Sequence, residues 1–166
     1  MLSKHYQISL IKYMFENEDF FIKCVSYLEP SYFSNDKNKD QYLFWIYKQL
    51  KDYYKKYNEK PALIWLGQKI CSDINEDKRE AYLSVMLKIK EKKVTEIKYL
   101  QDELTTFIKT SEFKKMHKKA AEVFNDGLYS EAFTITEQAM EKINTVQFAE
   151  DDYVKINEID QILVEA

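Results

Sequence analysis

The residues able to do chemistry are few and scattered. "DKNKD" sets Asp36, Asn38 and Asp40 at alternating positions, like the opening of a calcium loop. Such a loop needs a glycine at its sixth position for the sharp turn and a bidentate glutamate at its twelfth. Here those positions hold Gln41 and Tyr47. The stretch therefore reads as a solvated turn and helix cap. His5 and His117 lie far apart, and neither has a second His, Cys or carboxylate at a recognised ligand spacing. Cys24 and Cys71 fall in apolar helical patterns without zinc-type spacing. They are expected as buried free thiols in a reducing compartment. A Walker A loop needs two nearby glycines before a lysine, so that backbone N–H groups can cradle phosphate. Gly67 and Gly127 are the only glycines, and they stand sixty residues apart. No enzyme chemistry, metal or cofactor is expected of this chain by itself.

One stretch has the residue types that touch nucleic acid. "KDYYKKYNEK" interleaves tyrosines and lysines, and aromatic faces stack on bases while lysines follow phosphates. Tyr54, Lys55 and Lys56 are the possible contacts. Yet Tyr53 and Tyr57 share a stripe with Leu50, so core packing with a solvated lysine face is the simpler account. The net charge is -3, which gives no global basic field. Arg79 is the only arginine, and arginine is the usual bidentate reader of phosphate and guanine. Direct DNA contact is left open.

The elements that must carry these residues are helices. The chain is 45% hydrophobic and 15% aromatic, with 2 Gly and 2 Pro in 166 residues. Sheet-rich chains need many turns, and turns favour those two residues. An all-α fold is expected. The first helix covers about 4–15, with Tyr6, Leu10, Ile11, Met14 and Phe15 on one face and Asn17 as a cap. A second carries Phe20, Phe21, Cys24, Val25 and Leu28 and ends before Pro30. A third spans about 39–57 on Leu43, Ile46, Leu50, Tyr53 and Tyr57. In "YNEKPALIWL" Pro61 is read as the first turn of a fourth helix, where its missing N–H costs nothing. A fifth begins near Asn75, with Tyr82, Leu83, Met86 and Leu87 as its apolar face.

After about Glu91 the pattern lengthens. Thr95 is read as a cap, with Val94 and Tyr99 stapling the helix start. The apolar repeat then runs unbroken for about 30 residues, roughly 45 Å of helix, to a stop at Gly127. A second helix follows over about 130–144. Together they predict a long antiparallel hairpin, too long to bury both faces on a small globule, so self-association is expected. The division expected is a helical globular head over 1–92, the hairpin over 93–145, and a linker with a C-terminal helix over 146–166. "KINEIDQILVEA" places Ile156, Ile159 and Leu163 on one face. It stops in mid-helix, which is read as a chain cut short of its natural end. No apolar run reaches the ~20 residues of a membrane span, and the N-terminus has no cleavage pattern for secretion. A cytoplasmic location is expected.

Four stretches come in order: "SYLEPSYFSNDKNKDQYLFWIYKQL", "YNEKPALIWLGQKI", "FKKMHKKAAEVFNDGLYSEAFTITEQAMEKI" and "YVKINEIDQILVEA". In that order they resemble the N-terminal domain and linker of DnaB-type replicative DNA helicases, closer to those of large phages than to the bacterial type. The resemblance implies a collar on a hexameric ring, often a trimer of dimers built through the hairpins. It implies docking of primase or a helicase loader, within the host cytoplasm if phage-encoded. It implies a parent enzyme that unwinds DNA with ATP or another nucleotide and magnesium in a RecA-like motor domain, which these residues do not include. The hairpin positions that would meet another subunit are Met116, Ala120, Phe124, Tyr129, Phe133, Thr136 and Met140. Ile156, Ile159 and Leu163 would dock on the neighbouring subunit's ATPase domain. Two other readings stand beside it: a free-standing helical adaptor or inhibitor of a replication protein, and a weak single-strand-binding module.

Overall fold

The computed structural model describes residues 2–33 and 41–148. Every regular element among them is helical, in the order α1 (Lys4–Glu16), α2 (Glu18–Tyr27), a single 3-10 turn (Pro30–Tyr32), α3 (Tyr42–Tyr57), α4 (Leu63–Asp73), α5 (Glu76–Glu91), α6 (Ile97–Asn125) and α7 (Tyr129–Thr145). The fold is all-α.

Local chemistry sets most boundaries. Ser3 starts α1 by accepting from the Tyr6 N–H at 3.2 Å. Asn17 ends α1 and starts α2: its N–H donates to Tyr13 O at 3.0 Å, and its side chain accepts from the Phe20 N–H at 2.9 Å. One polar residue thus satisfies orphan groups of two helices. Asn58 closes α3 in the left-handed region at φ 56°, which Asn tolerates better than most residues. Gly127 (φ 79°) closes α6. There the Leu128 N–H reaches back to Val123 O at 3.0 Å, the long bond of a Schellman end.

One apolar core takes in Leu10 and Met14 of α1, Phe21 of α2, Ile46 and Leu50 of α3, Leu66 and Ile70 of α4, Val85 and Ile89 of α5, and Leu100, Leu104 and Ile108 of α6. Tyr47 lies at its centre, stacked on Phe33 with centroids 4.2 Å apart. Val146 and Phe148, read from sequence as linker, are buried in this same core. The Phe148 ring packs 5.8 Å from Phe20 and 5.6 Å from Tyr27.

Several sequence expectations are corrected. Pro61 is buried but precedes α4, which begins two residues later with Ala62 at its cap position. Thr95 does not cap α6; Glu96 holds that position without a side-chain bond. Tyr99 is exposed rather than stapled. On α5 the buried residues are Val85 and Ile89, while Leu87 is 48% exposed. Of the expected face, Tyr82, Leu83 and Met86 pack partly buried against the core. Tyr57 is 52% exposed and outside the core. Cys24 is buried as expected, but Cys71 is exposed.

Candidate functional site

α7 runs back along α6. Lys142, late in α7, pairs with Glu112 in mid-α6 at 3.3 Å. At the turn, the Phe124 and Tyr129 rings meet at 4.8 Å. The first half of α6 is part of the core, so the second half and most of α7 project from it.

The joint between the two parts is polar. Glu112 is 9% exposed and lies in line with buried Leu104, Ile108 and Met116. The Tyr32 hydroxyl donates to it at 3.1 Å. Lys115 donates to Tyr32 at 2.8 Å and also lies over its ring. Burial pushes the Tyr32 phenol up, and the carboxylate beside it adds to that. Burial alone would lower Lys115, but Tyr32 and Glu112 outweigh it and hold the ammonium above its usual range. The Tyr32 ring also stands edge-on to Phe107 at 5.3 Å. This network ties hairpin to head. The sequence signal was an acid at i+4 in an apolar row, and it was not used.

The projecting half carries two stripes. On α6, Phe113, His117, Ala120 and Phe124 recur at i, i+4, i+7 and i+11. On α7, Tyr129, Phe133, Thr136 and Met140 recur at the same spacing. Each lies one residue step round its helix from the buried contacts, Glu112 and Met116 on α6 and Ala132 and Ile143 on α7. Helices that run antiparallel with the same offset turn their stripes to the same side. The result is one continuous face, joined at the tip by the Phe124–Tyr129 contact. Its exposure is large: Phe113 50%, Phe124 49%, Tyr129 54% and Phe133 67%.

No known protein family matches this chain, and neither does any curated protein or solved structure.

Of the hairpin residues picked from sequence, Phe124, Tyr129, Phe133, Thr136 and Met140 are exposed and Ala120 is half-buried. The structure brings these six to one side. Met116 is buried within the protomer and has no surface to offer. Phe113 belongs to the face and was missed, because its spacing also fits a core stripe. Charges border the face unevenly. Lys114 and Lys118 follow the α6 stripe, and Glu137 and Glu141 follow the α7 stripe, all four exposed.

Tyr54 is half-buried, edge-on to Phe21 at 5.9 Å. Lys55 and Lys56 are exposed, and Lys56 lies over the Tyr57 ring. Ile156, Ile159 and Leu163, with Asp36, Asn38 and Asp40, lie outside the described residues. His5 contacts Lys92 at 2.7 Å, and His117 stacks on Phe113. Among the described residues no group of His, Cys, Asp and Glu could hold a metal ion. No helix among them is long and apolar enough to cross a membrane.

Proposed function

We propose that this chain is the N-terminal collar domain of a hexameric replicative DNA helicase of the DnaB type. Its work is to hold ring subunits together and to offer a docking surface to primase or a helicase loader. The chain itself does no catalysis. Nucleotide and magnesium belong to a motor domain elsewhere in the parent enzyme, and Ile156, Ile159 and Leu163 serve that domain in the neighbouring subunit.

The observation that carries this reading is the exposed apolar face shared by α6 and α7. A contiguous aromatic surface of this kind marks a protein contact. The borders suit a second copy. A two-fold axis along the hairpin sets α6 of one copy over α7 of the other. Lys114 and Lys118 then meet Glu137 and Glu141. An axis across the hairpin would instead stack lysine on lysine, so the first arrangement is favoured.

Light scattering on the purified chain tests this. The native chain is expected as a dimer or a multiple of it. Phe133→Glu is expected to be monomeric with unchanged helical signal, because Phe133 is 67% exposed, and its melting temperature loses only the concentration-dependent share that association adds. A native chain that stays monomeric at every attainable concentration removes the collar reading and leaves a free-standing adaptor.

A further inference from the structure

The start of α1 and the connection from α5 to α6 enclose a cavity of about 320 Å³. His5 stands on the α1 side, and Lys92 and Lys93 on the other. The Lys92 ammonium donates to His5 Nε2 at 2.7 Å. Among the described residues neither Lys92 nor Lys93 pairs with a carboxylate. Glu96 is the one carboxylate on the lining. Two ammonium groups and an imidazole thus share one cavity with a single acid, in a chain whose net charge is -3. Cations that face one concavity without a counter-charge concentrate anions there.

We propose that this cavity binds the phosphate of a nucleoside monophosphate, with the nucleoside lying over Tyr99. A second cavity of about 390 Å³ adjoins the first, and Tyr6 and Tyr99 line both. Each is of a size usual for small-molecule sites. Tyr99 is 59% exposed, and a free phenol ring offers a stacking face to a planar base. In the second cavity the Thr106 and Thr110 hydroxyls and the Glu103 carboxylate suit the hydroxyl and amino groups of a nucleoside. The charges are divided to suit one phosphate. Lys92 and Lys93 line the first cavity, and Glu103 is the one charged residue lining the second. Further phosphates reaching toward Glu103 would meet like charge, so a monophosphate is favoured over a triphosphate.

The walls are held by contacts that binding leaves alone. Tyr6 is half-buried, and its hydroxyl donates to Leu100 O, which ties α1 to α6. Leu100 is itself part of the core. The Lys92 N–H closes α5 by donating to Lys88 O at 3.1 Å. The cavity is therefore built before a ligand arrives, and only exposed side chains such as Lys93 and Tyr99 have to settle, which keeps the ordering cost small. The site uses the first turns of α6, whereas the apolar hairpin face begins at Phe113. It stands whether or not the chain is a collar.

The test is a titration of the isotope-labelled chain, followed by its NMR shifts, with adenosine monophosphate, inorganic phosphate and adenosine in turn. The nucleotide is expected to bind saturably and to move the signals of His5, Lys92, Lys93 and Tyr99. Phosphate is expected to move the first three at higher concentration, and adenosine to bind weakest. Lys93→Gln, at an exposed position, is expected to weaken the nucleotide about tenfold, the worth of one charge-assisted bond. Tyr99→Ala is expected to bring the nucleotide down to the affinity of phosphate. No saturable binding of the nucleotide, or equal affinity in Lys93→Gln, overturns the proposal. Phosphate held as tightly as the nucleotide by the native chain overturns the nucleoside half of it. An oligonucleotide with a terminal phosphate distinguishes the two sources of the ligand. Binding tighter than the nucleotide and dependent on that phosphate supports the site with a strand end in it, and weaker binding supports the free nucleotide.

Discussion

The Tyr47 hydroxyl is enclosed in the head, shared between Leu28 O at 2.8 Å and Cys24 O at 3.1 Å. Replacing it by Phe leaves two buried carbonyls with less to bond. Leu28 O keeps the Lys51 ammonium at 2.9 Å, so the cost is expected at about 1–2 kcal/mol. The same burial has a pH consequence. It pushes the phenols of Tyr47 and Tyr6 and the thiol of Cys24 above their ordinary values. A group whose folded value is raised binds its proton more tightly in the folded state. Its contribution is whole below the unfolded value and is lost as pH rises through the folded one. Unfolded thiols titrate near ~8.5 and phenols near ~10. The urea midpoint is therefore expected to hold from neutral pH to about 8 and to fall above it. Tyr47→Phe should lower the neutral midpoint and flatten the alkaline fall. A midpoint that is level up to strongly alkaline pH would contradict this.

Between elements, Asn17 is the economical joint. It closes one helix and opens the next, so its loss is felt by both. Asn17→Ala is expected to cost about 1 kcal/mol, and Asn17→Asp to retain most of the cap. Both are read from denaturant midpoints at constant slope. Equal midpoints for the alanine variant and the native chain would show that packing alone sets this corner. α5 shows the opposite case, an element whose orientation comes from its neighbours. Its apolar residues are spread widely enough for either of two adjacent faces to point inward. α1 and α4 select the one with Val85 and Ile89, and Leu87 is left 48% exposed.

For the molecule as a whole, the end of α7 returns to the head and locks the projecting hairpin at its base. The Tyr27 hydroxyl donates to Thr145 O at 2.9 Å, and Phe148 is 2% exposed. Truncating Phe148 opens a cavity beside Phe20 and Tyr27 of α2, so Phe148→Ala is expected to cost about 3 kcal/mol or more. Phe133→Glu, on the free face, should melt at a temperature independent of protein concentration, equal to that of the native chain at high dilution. Calorimetry on the two variants checks the division between residues that hold the fold and residues that face a partner. Similar losses in both would mean that the outer face also supports the fold.

The sequence by itself determined the all-helical class, the length of α6 and its stop at Gly127, and Asn17 as a cap. These follow from period, caps and backbone freedom, which are local. It also picked most of the exposed hairpin face, since i, i+4, i+7 spacing survives whatever the helix packs on. Tertiary structure decided which of two neighbouring stripes goes inward. Met116 turned in and Phe113 out, Val85 in and Leu87 out, because rotating a helix by one residue step exchanges stripes of nearly equal apolar content. Only the fold could bring Tyr32, Glu112, Lys115 and Lys142 to one joint, or draw Val146 and Phe148 into the core. Those contacts join residues far apart in the chain, and no local pattern records them.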